Sequence, residues 1–302
     1  SRSPAINKSG TLYWPFWLAY ATGALEEAGF DTQLLDCPAT GTGEGQLLGR
    51  LSESRPRLVV MDTSTPSIYS DLRVASAVKA RLPKSMVVMV GTHVSALPEE
   101  SLRLAPAVDA VAVAEYDRTV VELARALEGG GDPAEVSGMV LSRNGRLVRT
   151  GRREPVEDLD SLPLLAEVYS RHLAAEDYFF AAARYPSVML ITSRGCPYRC
   201  SFCVWPQVMH RGGYRAMSAG RVAEEFTRVA RLFPQAQEVV VEDDTFAVDS
   251  RRVEEVSEAL VASGNRLPWT ANVRANLSLE AMRKMRAACC RLIIVGSGPG
   301  DQ

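Results

Sequence analysis

Short continuous apolar runs alternate with helix-patterned segments along this chain, and each run has the length of a β-strand covered on both faces. Residues 57–63 (Arg-Leu-Val-Val-Met-Asp-Thr) are one such run, and Met86–Val90 is another, leading straight into Gly91-Thr92-His93. Apolar spacing predicts a helix over 71–82 between them. A helix over 16–29 with Gly29 as its C-cap, a short strand over 31–35, a strand over 110–113 and a helix over 119–127 complete the series. This βαβα rhythm predicts an α/β fold with a parallel, doubly wound (Rossmann-like) sheet, whose ligands sit at the carboxyl ends of the strands. The stretch 129–163 is rich in Gly, Pro and charge and holds a predicted hairpin, 138–142 and 146–150 around Asn144-Gly145. From Ser187 the rhythm resumes: strands over 188–192, 238–243, 269–273 and 291–295, helices over 219–232, 250–262 and 279–288. Four βα units of this kind predict a partial (βα) barrel with its chemistry at the strands' C-terminal ends. The expected divisions are therefore residues 1–130, a connection over 131–186, and 187–302. The chain opens on a loop where a strand is expected and stops just past its fourth barrel strand, so both ends read as truncated.

Composition narrows the function classes. Of the 302 residues, 46% are hydrophobic and 23% charged, which is globular and excludes disorder as the main state. Thirty-four basic residues face thirty-six acidic ones, a net charge of −2 that argues for no nucleic-acid or membrane-surface partner. No apolar run approaches the ~20 residues of a membrane span, and no signal segment opens the chain, so the expected location is cytoplasmic. Three of the six cysteines fall within residues 196–203, which points to a metal centre in a reducing compartment rather than a disulfide framework.

That cluster reads Cys196-Pro-Tyr-Arg-Cys200-Ser-Phe-Cys203, directly after a strand. Three thiolates on one short loop suit zinc or iron–sulfur chemistry. One reading is a structural zinc site with His210 as fourth ligand; the other is a [4Fe–4S] cluster with three protein ligands and one open iron. Structural zinc sites more often use two separated pairs, which favours the cluster.

The C-x3-C-x2-C loop after a first barrel strand, with aromatic Phe202 before the last cysteine, resembles the radical S-adenosylmethionine (SAM) enzymes. The resemblance implies that Cys196, Cys200 and Cys203 ligate the cluster, that Phe202 packs beside it, and that SAM binds the open iron and is cleaved to a 5′-deoxyadenosyl radical. It implies SAM contacts from Glu242, Asp243 and Asp244 after the second strand, Asn272 and Arg274 after the third, and Ser297 after the fourth. There the family's Gly-x-Glu-Ser-Gly is replaced by Gly296-Ser297-Gly298-Pro299-Gly300-Asp301, without the glutamate. The segments Asp62-Thr63-Ser64-Thr65-Pro66 and Val90-Gly91-Thr92-His93 look like the cobalamin-binding domain of the class B members of that family. Thr63, Ser64, Thr65, Gly91, Thr92 and His93 are thereby implied to line a cobalamin site. The histidine-ligating motif Asp-x-His-x-x-Gly is absent, so His93 is expected beside the cofactor and not on cobalt. Tyr13-Trp14-Pro15-Phe16-Trp17 either covers the corrin face or packs as core. Cys37, Cys289 and Cys290 read as buried thiols.

A cobalamin-dependent radical SAM enzyme is the implied function. The expected chemistry is methyl transfer to an unactivated carbon or phosphorus of a small-molecule substrate, with flavodoxin or ferredoxin as electron donor. Radical rearrangement or cyclisation, as in the hopanoid side-chain and porphyrin-cyclase subgroup, is the alternative, and a non-catalytic corrinoid or zinc scaffold is a third reading.

Overall fold

The computed structural model describes residues 9–210 and 213–296. They form two compact units, one of residues 24–156 and one that joins residues 9–23 to 157–296.

In the first unit, strands β1 (Leu58–Asp62), β2 (Met86–Val90) and β3 (Ala110–Ala112) pair in parallel, and β4 (Met139–Arg143) and β5 (Arg146–Arg149) add antiparallel in the order β1-β2-β3-β4-β5. The expected hairpin is present, with positive φ at both Asn144 and Gly145 as a type I′ turn requires. It lies within this sheet, because β4 takes the free edge of β3 (Ala110 opposite Leu141), so the segment expected as a connection extends the first unit. Val87, Met89 and Val111 form the core with Ile68, Leu72, Ala75 and Val78 of the helix Ile68–Arg81. Two expectations differ. Residues 31–35 form no strand among the described residues, although exposed side chains at 31 and 33 alternate with covered ones at 32 and 34. A helix, Glu44–Ser54, stands where glycines at 43, 45 and 49 hid it. Leu47, Leu48 and Leu51 pack on the core and outweigh the helix-breaking tendency of Gly.

In the second unit, β6 (Ser187–Leu190), β9 (Glu238–Val241), β10 (Trp269–Val273) and β11 (Cys290–Val295) run parallel in the order β11-β10-β9-β6. This is the sequential order of a partial βα barrel. Its helices Ala219–Leu232, Ser250–Ala262 and Leu279–Ala287 start on Ser218, Asp249 and Ser278, whose side chains accept from backbone N–H groups of the first turn (3.1, 3.0 and 3.1 Å). A two-residue antiparallel ladder, β7 (Ser193–Arg194) with β8 (Arg215–Ala216), ties together the ends of the cysteine-bearing loop 195–214.

The helix Leu165–His172 has no side-chain cap of its own. Glu225 of the helix Ala219–Leu232 supplies one, accepting from Leu165 N (2.7 Å) and Ala166 N (3.2 Å). Burial pushes this carboxyl from 4.5 up to about 7, against the pull of the two N–H groups and Arg221. The folded state therefore holds the proton more tightly than the unfolded chain. Stability falls as pH rises from about 4.5 to about 7 and is flat above, by of order 3 kcal/mol for this group. Urea unfolding of wild type and Glu225→Gln between pH 5 and 7.5 checks this: the variant is expected to lose that part of the slope, and parallel profiles would show that Glu225 stays ionised throughout.

Candidate functional site

The cysteine loop leaves the sheet at the carboxyl end of β6 through a junction built by two carboxylates. Asp243 accepts from Thr192 N (2.6 Å), Thr192 Oγ1 (2.7 Å), Ser193 N (3.1 Å) and Ser193 Oγ (2.7 Å), and is 3% exposed. Four donors occupy the roughly four acceptor positions of a carboxylate. Asp243 thus fixes the strand-to-loop turn, and its oxygens are already committed. Arg252 reinforces the turn, donating to Thr192 O (2.9 Å) and Oγ1 (3.0 Å). Asp244 accepts from Gly195 N (3.1 Å), and His210 Nε2 lies 3.4 Å from the same carboxylate. Gly195 has φ +89°, and a Cβ there would overlap the Gly213 carbonyl oxygen, so only glycine closes the base of the loop.

Cys196, Cys200 and Cys203 form no disulfide and are half-buried. Cys203 N donates to Cys200 O (3.0 Å), and Arg274 Nη1 lies 3.8 Å from Cys200 Sγ while its guanidinium covers the Tyr198 ring at 3.9 Å. Burial pushes the Cys196 thiol up, a hydrogen bond from the Tyr198 backbone opposes the shift, and Asp244, Cys203 and Cys200 add to it. Among the described residues no three His, Cys, Asp or Glu side chains converge as the ligands of a single ion. An iron–sulfur cluster carries its thiolates on separate irons, so this donor set fits one without converging on a point. His210, the fourth ligand of the zinc reading, has Nε2 facing Asp244, and its ring packs 5.3 Å from that of Trp17.

Beyond the loop, the strand ends present a polar edge. Asn272 Nδ2 donates to Glu242 Oε2 (3.1 Å). Burial pushes the Glu242 carboxyl up to about 7; Asn272 opposes the shift and Asp243 and Asp244 add to it. Burial first, then Glu242, also raises the Tyr13 phenol. Phe202 is 72% exposed rather than packed into the loop. Ser297 lies outside the described residues. Sequence reading missed Arg194, which is 1% exposed and has its guanidinium 4.5 Å from the Trp17 ring centre and 4.8 Å from that of Tyr20. Desolvated cation–π contacts of this kind contribute about 2 kcal/mol. No spacing in the sequence announces it, because its partners lie more than 170 positions away.

In the first unit the loops after β1 and β2 meet at the carboxyl edge of the sheet. Gly91 has φ +105°, and a Cβ there would overlap the Thr63 carbonyl oxygen, while Thr63 N donates to Val90 O (2.9 Å). Thr63 is buried, and its hydroxyl donates to Asp71 (2.6 Å). It shapes the loop from inside. Ser64, Thr65, Thr92 and His93 reach the surface of this edge, with Thr65 Oγ1 3.1 Å from His93 Nδ1 and Ser64 Oγ 3.3 Å from Ser67 Oγ. Two loops touching at adjacent parallel strand ends form the place where such sheets bind ligands.

Residues 2–124 match the B12 binding domain family. The chain is 28% identical over 288 residues to the uncharacterized methyltransferase PH0819 of Pyrococcus horikoshii, covering 95% of this chain and 61% of that one. It is 24% identical over 269 residues to the anaerobic magnesium-protoporphyrin IX monomethyl ester cyclase of Cereibacter sphaeroides, covering 86% and 42%. Its fold superposes on the radical S-adenosylmethionine methyltransferase TsrM of Kitasatospora setae with a TM-score of 0.76 at 20% identity, over 94% of this chain and 56% of that one. The B12 binding match and a further relative, the cobalamin-dependent radical SAM methyltransferase TokK of Streptomyces tokunonensis (28% identical over 243 residues, 77% of this chain and 34% of that one), make the chain similar to cobalamin-dependent radical SAM proteins. The chain spans about half the length of the curated relatives it matches.

Two further features bear on the placement of the remaining candidate residues. Although the B12 binding match reaches back to residue 2, the aromatic segment packs in the second unit. Trp14 stacks on Tyr178 (4.2 Å, 19°), lies 4.4 Å from the Tyr169 ring and donates from Nε1 to Ser187 O (3.0 Å), so it is core and does not cover a corrin. Cys37, Cys289 and Cys290, expected as buried thiols, are half-buried; burial pushes Cys290 up to about 12 and raises Cys37 as well, away from the low pKa of a reactive cysteine. No helix among the described residues is long and apolar enough to cross a membrane.

Proposed function

We propose that this chain carries the two cofactor-holding units of a cobalamin-dependent radical SAM enzyme that transfers a methyl group to an unactivated carbon or phosphorus of a small molecule. The observation that carries the reading is the joint presence, in one chain, of a B12 binding match and a three-cysteine loop at the carboxyl end of the first parallel barrel strand. Cys196, Cys200 and Cys203 would hold a [4Fe–4S] cluster. The edge formed by Glu242 and Asn272 would receive the methionine end of SAM, with Glu242 accepting from its ammonium group. Asp243 and Asp244 act on the loop itself. Gly91, Ser64, Thr65, Thr92 and His93 would line the cobalamin site. When bound, the cluster supplies the electron that cleaves SAM and cobalamin supplies a methyl-carrying cobalt. Arg274 holds Tyr198 and Cys200, and Glu242, with its carboxyl near 7, gains charge when an ammonium approaches. The electron donor is a flavodoxin or ferredoxin, and the setting is cytoplasmic.

A second reading is supported by the cyclase relative: radical cyclisation or rearrangement without methyl transfer. Anaerobic reconstitution with iron, sulfide, cobalamin and SAM under strong reductant separates the two by mass spectrometry of the products. Methyl transfer predicts 5′-deoxyadenosine and S-adenosylhomocysteine together. Accumulation of 5′-deoxyadenosine alone moves the chain to the second reading, and neither product overturns both.

A further inference from the structure

The cysteine loop is gripped at both ends by one indole. Arg194 stands two residues before Cys196, and its guanidinium lies over both the Trp17 ring at 4.5 Å and the Tyr20 ring at 4.8 Å. Trp205 and His210 follow Cys203, and Trp17 also lies nearly parallel to Trp205 (16°, 6.4 Å) and 5.3 Å from His210. Trp17 is itself anchored away from the loop. The Tyr20 hydroxyl donates to Ile191 O (3.2 Å) and Trp14 Nε1 to Ser187 O (3.0 Å), which fix the start of the helix Phe16–Glu27 against β6 and the residues just after it. The same grip reaches the base of the loop, because His210 faces Asp244, which accepts from Gly195 N.

A buried arginine is an expensive way to fill a core, since an apolar residue of similar volume often stabilises as well or better. A cation lying over two aromatic rings is instead directional, holding the backbone just before the first cysteine in one position. We infer that Trp17 and Arg194 are positioning residues, a clamp that presents Cys196, Cys200 and Cys203 in one arrangement before iron arrives. This rests on the proposed reading of the loop as a cluster site. It assigns the start of the helix Phe16–Glu27, which the B12 binding match includes, to the iron–sulfur chemistry of the second unit. Holding the ligands in place lowers the ordering cost of assembly, as preorganised sites do.

The test begins without metal. The iron-free full chain is treated anaerobically with iodoacetamide, and the alkylation rate of each cysteine is read by mass spectrometry, with Cys37 of the first unit as internal reference. Trp17→Ala is expected to speed modification of the three loop cysteines several-fold with Cys37 unchanged, and Trp17→Phe to restore most of the protection. Arg194→Met keeps side-chain bulk without the cation and is expected to act like Trp17→Ala, so the clamp remains testable if Trp17→Ala does not fold. After reconstitution, Trp17→Ala and Arg194→Met are expected to hold several-fold less iron and to give a broadened reduced-cluster electron paramagnetic resonance signal. Unchanged loop rates with a lowered unfolding midpoint would reduce Trp17 to a core residue and overturn the proposal, as would equal acceleration at Cys37. The cluster reading fails separately: if wild type takes up no iron, that reading falls while the alkylation rates still decide the clamp.

Discussion

Gly195→Ala is expected to strip most of the iron from the reconstituted protein while leaving the first unit untouched. Gly195 combines a left-handed backbone (φ +89°) with a close crossing of the Gly213 carbonyl at the base of the loop 195–214. The left-handed conformation alone costs an L-residue about 1–2 kcal/mol. The methyl group must then displace backbone rather than a flexible side chain, and forced repacking typically adds about 1–3 kcal/mol. The two-residue ladder β7–β8 is the only strand pairing that closes this loop among the described residues, and it is too short to absorb that strain. The loop opens, the three cysteines separate, and iron and acid-labile sulfide per chain fall sharply. Cobalamin uptake, proposed to use the loops after β1 and β2, is expected to stay at the wild-type level. Full iron with a wild-type spectrum would mean that the cysteines need no closed loop base.

Glu238→Ala is expected to produce the largest loss of stability without loss of cofactor sites. Glu238 is 0% exposed at the start of β9 and accepts from Arg184 N (2.9 Å), Thr270 Oγ1 and Arg291 Nε (2.9 Å). It ties β9 to β10 and β11 at the amino ends of the strands, the face of such sheets where residues serve stability rather than chemistry. Removing one partner of a buried, hydrogen-bonded ion pair costs about 3–5 kcal/mol, because the donors left behind are unsatisfied. Arg291 is 31% exposed and can rehydrate in part, which sets the loss toward the lower figure. Glu238→Gln keeps an acceptor for the Arg184 N–H and is expected to lose less. Denaturant unfolding of the three proteins, with iron content measured at low temperature, checks both halves. A loss below about 1 kcal/mol would place this pair with weak surface pairs.

Much of the second unit was legible because its signals are local. The helices expected over 219–232 and 250–262 and the strand over 269–273 have those bounds, because each carries its apolar pattern within its own residues. The hairpin was legible from Asn144-Gly145, but its membership of the first sheet was not, because pairing with β3 is a tertiary event. The position of the cysteine loop at a strand end followed from the motif and the preceding apolar run. What the acidic run 242–244 does was hidden: three adjacent carboxylates look equivalent in sequence, yet Glu242 faces Asn272, Asp243 is spent on Thr192 and Ser193, and Asp244 serves Gly195 and His210. The pairing of Arg194 with Trp17 was hidden for the same reason, the two lying far apart in sequence and adjacent only in the fold.

The proposed function requires two independent cofactor sites in one chain, one in each unit. Iron, sulfide and cobalamin content of anaerobically reconstituted wild type, Cys200→Ala and Gly91→Val tests it most directly. The account predicts about four irons and one cobalamin in wild type, loss of iron with cobalamin retained in Cys200→Ala, and the converse in Gly91→Val, whose side chain would overlap the Thr63 backbone. Joint loss of both cofactors in either variant, or a wild-type chain that takes up no cobalamin, would contradict it.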